Sequence, residues 1–321
     1  MLPCPFQRHE SNPLITVRDL PMPANGVLNP GVAQFEGETV LLLRCERREG
    51  TSELRVARSH NGVDGWRIAE GPLLAPDVPD YPFEEWGCED ARLTRLETGR
   101  WGIAYTGYGR YGPTVALALT DDFERVERIG TVQMPPSKDA ALFPTKFEGR
   151  WLMLTRPETG GLEQIWHSSS QGEGLTDWRL PGLLIPTHGG PWWDSTRIGV
   201  GAPPIRTDAG WLLIYHGTKA MAAGPVYRLG LALLDLSDPT KVIARSRDWV
   251  FGPEAPYETT GLVPNVVFTC GAAVRGDEVW MYYGAADTCV ALATARLDDL
   301  VEFALHYNYL DTRGREKGVA T

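Results

Sequence analysis

The chain has 321 residues, of which 43% are hydrophobic and 22% are charged, and its formal net charge is −10. This is the composition of an ordinary globular protein, and the acidic balance argues against partners bound through basic surfaces, such as nucleic acids and anionic membranes. The longest apolar runs are too short to span a bilayer, and the N-terminus lacks the apolar core and cleavage site of a signal peptide, so we expect a cytoplasmic protein.

A unit of three predicted strands recurs five times along the chain. Each unit has a polar-apolar strand, a Gly-bearing turn, a hydrophobic strand and a further alternating strand, with Gly, Pro and Asp at the boundaries. In chain order the predicted strands cover 29–35, 37–44 and 53–59; 88–96, 99–107 and 114–120; 138–147, 149–157 and 163–169; 199–207, 209–217 and 227–235; and 265–274, 276–284 and 289–295.

The repeat predicts the fold class. Copies at intervals of roughly 50–66 residues indicate radial or linear repetition. Because no amphipathic helix separates the hairpin-linked strands, an all-β, five-bladed β-propeller with a central funnel-shaped active site is favoured over a β-sandwich with irregular insertions. We expect one domain over 1–321 with short extensions at about 1–12 and 304–321. The tail at 306–321 has little apolar periodicity and is a surface or inter-subunit extension, which leaves a homo-oligomer open.

Cysteine and histidine patterns bear on metal sites and cofactors. The cysteines at 4, 45, 88, 270 and 289 include no C-x-x-C pair, which favours reduced core thiols over a disulfide framework or a zinc site. The histidines are scattered without an H-E-x-x-H motif, and GVGAPP at 199–204 precedes no helix and is no dinucleotide loop. We therefore predict no metal site and no cofactor.

Polar residues far apart in sequence are expected to meet at one end of the channel that first strands line in a propeller. First strands and their near neighbours carry Asn29, Glu89, Asp90, Lys138, Asp139, Arg197 and Asn265, and the positions at or just after the ends of the second strands add Arg44, Arg156, His216 and Asp287. Four of these supply cationic or donor groups in an acidic chain, which indicates a small anion such as phosphate or sulfate: Lys138, Arg156, Arg197 and His216.

Each member of this basic set also has an ordinary interpretation. Arg156 and Arg197 could form surface salt bridges, Lys138 and Asp139 could be a solvated strand start, and His216 could be a half-buried histidine with satisfied hydrogen bonds. Their corresponding places in successive repeats favour a functional role.

Several blocks of the chain resemble glycoside hydrolase family 130, over about residues 12 to 303. They are NPG at 29, GCEDARL at 87, KDAALFPTKFEGRWLMLTRP at 138, WWDSTRIGVGAPPIRTDAGWLLIYHG at 192, ALLDLSDPTKVIAR at 232, VPNVVFTCGAAVRGDEVWMYYGAADT at 263 and LATARL at 292. The resemblance implies β-mannoside phosphorylases or, less often, β-mannosidases, and a five-bladed β-propeller, in agreement with the repeat count.

The resemblance also implies roles for individual residues. Asp90 would be the single catalytic acid, passing its proton through the 3-hydroxyl of the bound mannosyl unit to the glycosidic oxygen, while inorganic phosphate, a co-substrate, attacks the anomeric carbon from the opposite face. Lys138, Arg156, Arg197 and His216 fall at the phosphate positions, two of them with Lys and Arg exchanged, which keeps the charge but alters the geometry. The substrate-binding positions are Asn29, Arg44, Asp139, Lys146 and Asp287.

The available chemistry favours phosphorolysis. An inverting glycosidase needs an acid and a base about 6.5–9.5 Å apart, and the first strands offer the acid without a convincing base. Phosphate arrives as an anionic nucleophile and needs only cations to hold it. We expect inverting phosphorolysis of β-mannosidic linkages in manno-oligosaccharides to α-mannose 1-phosphate and a shortened acceptor. The alternatives are an inverting β-mannosidase of the same family and a non-catalytic sugar-binding propeller.

A proton-donating Asp90 requires a pKa raised above about 3.9 by burial or a neighbouring carboxylate. Regular alternation would place Glu89 on the opposite face of the strand, so Asp287 and Asp139 are better neighbours. Arg92 shares the face of Asp90 and is expected to turn toward sugar or structure. Acceptor choice is assigned to loops 76–87, 108–113, 186–196 and 219–226, where PWW at 191–193 either stacks on a sugar or packs the rim.

Overall fold

Short β-strands make up most of the structure, a computed structural model that describes residues 4–179, 181–222 and 224–310. The strands are β1 Gln7–Arg8, β2 Ala24–Phe35, β3 Glu38–Arg47, β4 Ser52–Ser59, β5 Arg67–Ile68, β6 Gly87–Arg95, β7 Trp101–Gly109, β8 Gly112–Thr120, β9 Glu127–Gln133, β10 Ser137–Leu142, β11 Leu152–Thr159, β12 Leu162–Glu163, β13 Ile165–Ser169, β14 Gly182–Ile185, β15 Arg197–Val200, β16 Ile205–Arg206, β17 Trp211–Met221, β18 Gly224–Leu234, β19 Val242–Arg245, β20 Val267–Arg275, β21 Glu278–Ala285 and β22 Cys289–Arg296. The α-helices are α1 Pro256–Thr259 and α2 Leu297–His306, with 3₁₀ turns at Val17–Asp19 and Pro82–Glu84.

The strands pair antiparallel in groups that follow the sequence repeat. In chain order the groups are β2-β3-β4-β5; β6-β7-β8-β9; β10-β11-β13-β14; β15 and β16 with β17-β18-β19; and β20-β21-β22-β1. Parallel bridges from Ser52 to Gly87 and from Glu163 to Arg197 join neighbouring groups. Every predicted strand overlaps an observed one, which confirms the nearly all-β fold.

The apolar core lies between successive groups, and a further cluster lies between the fifth group and the first. The second strand of each group is buried on both faces, so its sequence is a continuous hydrophobic run rather than an alternating one. In β3, Val40 and Leu42 belong to the cluster shared with the second group, whereas Leu41 and Leu43 belong to the cluster shared with the fifth. Alternate residues of one strand thus hold two neighbouring groups together.

The chain termini depart from the predicted extensions. Gln7 and Arg8 pair with Thr294 and Ala293, so part of the 1–12 segment is the outer strand of the fifth group and covers an edge that would otherwise be open. Residue 304 lies inside α2, whose buried face joins the core through Leu300, Phe303 and Ala304. Residues 311–321 of the predicted tail lie outside the described residues.

All five cysteines are free thiols, four of them buried as predicted and Cys4 exposed. No helix among residues 4–179, 181–222 and 224–310 is long and apolar enough to cross a membrane.

Candidate active site

The first strands of three groups each contain a β-bulge that carries a polar residue. Asn29, Asp90 and Asp139 have φ of 47°, 50° and 52°, and the pairing register shifts at each of these places. Asn and Asp tolerate this left-handed conformation better than other non-glycine residues because their short polar side chains bond locally. The bulges interrupt the alternation of the strands, and all three residues are buried.

Asp90 is the centre of the first cluster. Its side chain accepts a hydrogen bond from Asn29 Nδ2 at 2.9 Å. Arg44 Nη1 lies 3.2 Å from the same oxygen, Asp90 Oδ1. The structure therefore brings together two predicted sugar ligands and the predicted acid, from the first two groups.

Glu89 belongs to this cluster as well, which corrects the prediction that it lies on the opposite face. Arg44 Nη2 is 3.0 Å from Glu89 Oε1, so one guanidinium holds both carboxylates. The bulge between Glu89 and Arg92 is the physical reason, because an extra residue in a strand breaks the period of two.

The pKa of Asp90 is lowered in this structure, against the predicted rise. Burial by itself raises it, but the charges of Arg44 and Lys138 and the hydrogen bond from Asn29 outweigh burial. The pKa values that are raised are those of two nearby carboxyl groups, Glu89 and Asp287. Burial raises the pKa of Glu89 in spite of Arg44, and the charge of Asp90 adds to the rise. Burial also raises the pKa of Asp287 to about 6, in spite of Arg44.

Arg92 turns toward structure, one of its two predicted directions. Its side chain is fully buried, and it donates hydrogen bonds to Gly201 O and Val200 O at 2.8 Å and to Asp90 O at 3.0 Å. Arg92 Nη2 also lies 3.4 Å from Asp139 Oδ1. A single arginine thus ties the bulge of Asp90 to the third and fourth groups.

Asp139 is surrounded by basic side chains, which argues against the predicted contact with substrate. Arg156 Nη1 lies 2.8 Å and His216 Nε2 3.3 Å from Asp139 Oδ2, and the carboxylate is fully buried. Burial alone raises the pKa of Asp139, but Arg156 and His216 lower it well below its usual value. Gly199 makes room for this arrangement, because a Cβ there would collide with Asp139 and His216. Asp139 is the counter-ion that positions the basic residues.

His216 is neutral at physiological pH. Burial lowers its pKa to about 4, in spite of the nearby carboxylate of Asp139. Arg156 Nη1 lies 3.0 Å from His216 Nε2, and an arginine can only donate, so this contact places the ring hydrogen on Nδ1. Nδ1 is buried and has no hydrogen-bond partner among the described residues. It is therefore a donor available to a bound molecule.

The remaining predicted anion ligands lie around the same cluster. Lys138 pairs in register with Arg156 across β10 and β11, and no carboxylate within the described ranges forms an ion pair with it. Arg197 Nη1 donates to Tyr227 Oη at 3.3 Å, and its side chain is 37% exposed. Glu163, which was not predicted, lies 2.8 Å from Arg156 Nη2 and 3.1 Å from Arg197 Nη2.

Lys146 lies apart from the other predicted site residues, and its role in substrate binding stays a prediction. It lies in the loop between β10 and β11, at the end of the hairpin away from the pair of Lys138 and Arg156. Its backbone N–H donates to Glu97 Oε2 at 3.2 Å, and its ammonium lies 5.3 Å from the ring centre of Trp151.

The two tryptophans of PWW at 191–193 lie in different environments. Trp193 is buried, donates to Arg247 O at 3.2 Å and packs on Tyr215, so it has a packing role. Trp192 is half-buried beside His188, 5.3 Å between ring centres. The exposed aromatic residues of the predicted acceptor loops are instead Trp86, Tyr108 and Tyr111, and the rings of Trp86 and Tyr108 contact each other edge to face.

Known proteins resemble this chain over almost its whole length. A family model described as beta-1,4-mannooligosaccharide phosphorylase matches residues 9–305. The 1,2-beta-oligomannan phosphorylase of a Thermoanaerobacter species is 39% identical over 78% of this chain and 80% of its own. The structure of beta-1,2-mannobiose phosphorylase from Listeria innocua with beta-1,2-mannobiose aligns with a TM-score of 0.85 and 31% identity over 94% of this chain and 99% of its own. Another structure aligns with a TM-score of 0.81 and 25% identity over 91% of this chain and 94% of its own. Its description states that this family of mannoside phosphorylases contains glycoside hydrolases that target beta-1,2 mannosidic linkages in Candida mannan.

Proposed function

The chain belongs to glycoside hydrolase family 130, and on that premise we propose that it is an inverting β-mannoside phosphorylase. It transfers the terminal mannosyl unit of a β-linked manno-oligosaccharide to inorganic phosphate, giving α-mannose 1-phosphate and a shortened acceptor. β-1,2-linked oligomannans are the first substrates to test, because the relative with 39% identity is a 1,2-beta-oligomannan phosphorylase.

The observation that carries this proposal is a basic cluster beside the buried carboxylate of Asp90. Lys138, Arg156 and Arg197 supply charge, and His216 Nδ1 supplies a neutral donor. A phosphate dianion needs such donors and no catalytic base, because it is itself the nucleophile. A hydrolase would need a base aimed at a water molecule, and the buried Asp139 is already engaged by Arg156 and His216.

Asp90 serves as the general acid in this proposal, with Asn29, Arg44 and Asp287 around the mannosyl unit. The charges of Arg44 and Lys138 hold the pKa of Asp90 low. Phosphate bound near Lys138 offsets part of this positive charge and so raises the pKa of Asp90 toward its protonated form. Phosphate binding thus favours the protonated form of Asp90, which is the form that donates the proton.

The proton balance closes within the reaction. Asp90 delivers its proton through a mannosyl hydroxyl to the glycosidic oxygen as the C–O bond to the acceptor breaks and the bond from phosphate oxygen to C1 forms. The new phosphate ester loses the proton that HPO₄²⁻ carried, and one proton returns to Asp90. No oxidant, metal or further reactant is required by this balance.

We also propose that the antiparallel groups are the blades of a five-bladed β-propeller forming a single domain. Each apolar cluster lies between successive groups, and the cluster of Leu41 and Tyr282 joins the fifth group to the first. Cyclic packing of this kind is what a closed propeller requires.

The direct test supplies β-1,2- and β-1,4-mannobiose with and without phosphate. We expect mannose 1-phosphate only when phosphate is present, at a rate that saturates with phosphate. Equal turnover to free mannose in phosphate-free buffer would refute phosphorolysis in favour of a hydrolase. Binding of mannobiose by wild type and Asp90→Asn, with no turnover in either buffer, would favour a sugar-binding protein.

A further inference from the structure

One acidic side chain lies among the residues assigned to phosphate. Glu163 Oε2 is 2.8 Å from Arg156 Nη2, and Glu163 Oε1 is 3.1 Å from Arg197 Nη2. The carboxylate therefore bridges two arginines that come from different strand groups. It neutralises part of the charge that would attract an anion.

The bridge uses the donors that a phosphate would need. Arg156 Nη1 already faces Asp139 at 2.8 Å and His216 at 3.0 Å, and Arg197 Nη1 donates to Tyr227 at 3.3 Å. The Nη2 atoms of both arginines contact Glu163, and Arg156 Nε is buried without a hydrogen-bond partner among the described residues. A guanidinium presents the same geometry to a carboxylate as to a phosphate. A phosphate bridging the two Nη2 atoms must compete with Glu163 and would be repelled by it.

The Glu163 side chain can turn away from the arginines while its backbone stays bridged to Arg197. It ends β12, a strand of two residues in the hairpin formed with the end of β11. Gly160 and Gly161 at the turn have φ of 60° and 78° and open space around them. Leu162, the neighbour of Glu163, is 47% exposed. The Glu163 side chain is itself 23% exposed, so the carboxylate has a route into solvent.

We propose that Glu163 is a built-in competitor for phosphate, which holds Arg156 and Arg197 in the empty site and releases both when phosphate binds. This inference rests on the proposed phosphorolysis. Glu163 keeps the two guanidinium groups oriented while the site is empty, and its charge weakens ground-state binding of phosphate. It is thereby the residue that sets the phosphate affinity of the site.

The experiment compares Glu163→Gln with the matched variant Glu158→Gln. Glu158 pairs in register with Glu163 on the same hairpin, and it is exposed and forms no ion pair within the described residues. Both variants remove one negative charge, but only the first removes the competitor. Binding of inorganic phosphate is measured by calorimetry at constant ionic strength, together with kcat and the KM for phosphate.

We expect Glu163→Gln to lower the Kd and KM for phosphate about tenfold, the order expected from removing one like charge beside a bound anion. We expect kcat to change little and Glu158→Gln to match wild type. Glu163→Ala should shift the Kd in the same direction, and thermal unfolding of each variant verifies that it is folded.

Two results would overturn the inference. A Kd for phosphate that is unchanged or raised in both Glu163 variants, with wild type binding phosphate, would mean that Glu163 is only a support for the arginines, and phosphorolysis would stand. No phosphate binding by wild type or by either variant would overturn the proposed function together with the inference.

Discussion

Replacing Asp287 by Asn should stabilise the protein at neutral pH while impairing its activity. Asp287 has φ of 51°, a conformation that Asn adopts readily, so the substitution leaves the backbone unstrained. Burial raises the pKa of Asp287 from 3.8 to about 6. The folded state therefore binds this proton more tightly than the unfolded state does.

The sign and size of the effect follow from proton linkage. Between pH 3.8 and about 6 the folded protein holds more of this proton, so the free energy of unfolding falls as pH rises through that window. At 1.36 kcal/mol per pKa unit, ionisation of Asp287 lowers the free energy of unfolding by up to about 3 kcal/mol above pH 6 and by about 1 kcal/mol at pH 4.5. Asn carries no such cost.

Differential scanning calorimetry of both proteins at pH 4.5 and pH 7.5 measures this difference. We expect a Tm gain for Asp287→Asn that is about threefold larger at pH 7.5 than at pH 4.5. Asp208→Asn is the control, because Asp208 is exposed in the loop between β16 and β17. An Asp287→Asn gain independent of pH, or a loss of stability at pH 7.5, would refute the reasoning that burial dominates at Asp287.

Three further predictions concern the charged clusters. Asp90→Asn should lower turnover roughly a thousandfold, as for loss of a general acid, while calorimetry still detects phosphate binding; turnover near the wild-type rate would remove Asp90 from the mechanism. Arg44→Ala leaves Glu89 and Asp90 without their shared cation and should lower the free energy of unfolding by about 3 kcal/mol at pH 7.5. The loss should be smaller at pH 5, where the carboxylates of the variant take up protons. An equal loss at both pH values in urea unfolding would contradict this. Phosphate at a hundred times its Kd should stabilise wild type by about 2.7 kcal/mol and Arg156→Met much less; equal Tm shifts in both proteins would exclude Arg156 as a phosphate ligand.

The strands and the polar positions on them were predictable because both depend on local sequence patterns. Second strands such as β3 are buried on two faces, so their hydrophobic runs stand out against Gly-bearing turns. The repeat then aligned Asn29, Asp90 and Arg44, which the structure brings into hydrogen-bond contact. Short outer strands were missed because two residues, as in β1, carry no period, and β1 pairs with a strand at the other end of the chain.

The misplaced roles of Glu89 and Asp139 have one physical origin, the bulges. A period of two places Glu89 and Asp90 on opposite faces, but the bulge turns both toward Arg44. The same irregularity buries Asp139 between Arg92 and Arg156, where it acts as a counter-ion. A run of polar residues on a first strand that is otherwise apolar was the available signal for a bulge. The direction of the Asp90 pKa depended on cations from other groups, and sequence alone does not give those distances.

The measurement that tests the central claim most directly is an NMR time course of the first product formed from β-1,2-mannobiose in phosphate buffer. In the proposed reaction, phosphate held by the basic cluster attacks the anomeric carbon from the side opposite the acceptor and so inverts its configuration. The account predicts that α-mannose 1-phosphate and the released acceptor mannose accumulate together, in equal amounts, from the start of the reaction. Initial formation of β-mannose 1-phosphate, or of free mannose without any phosphate ester, would contradict it.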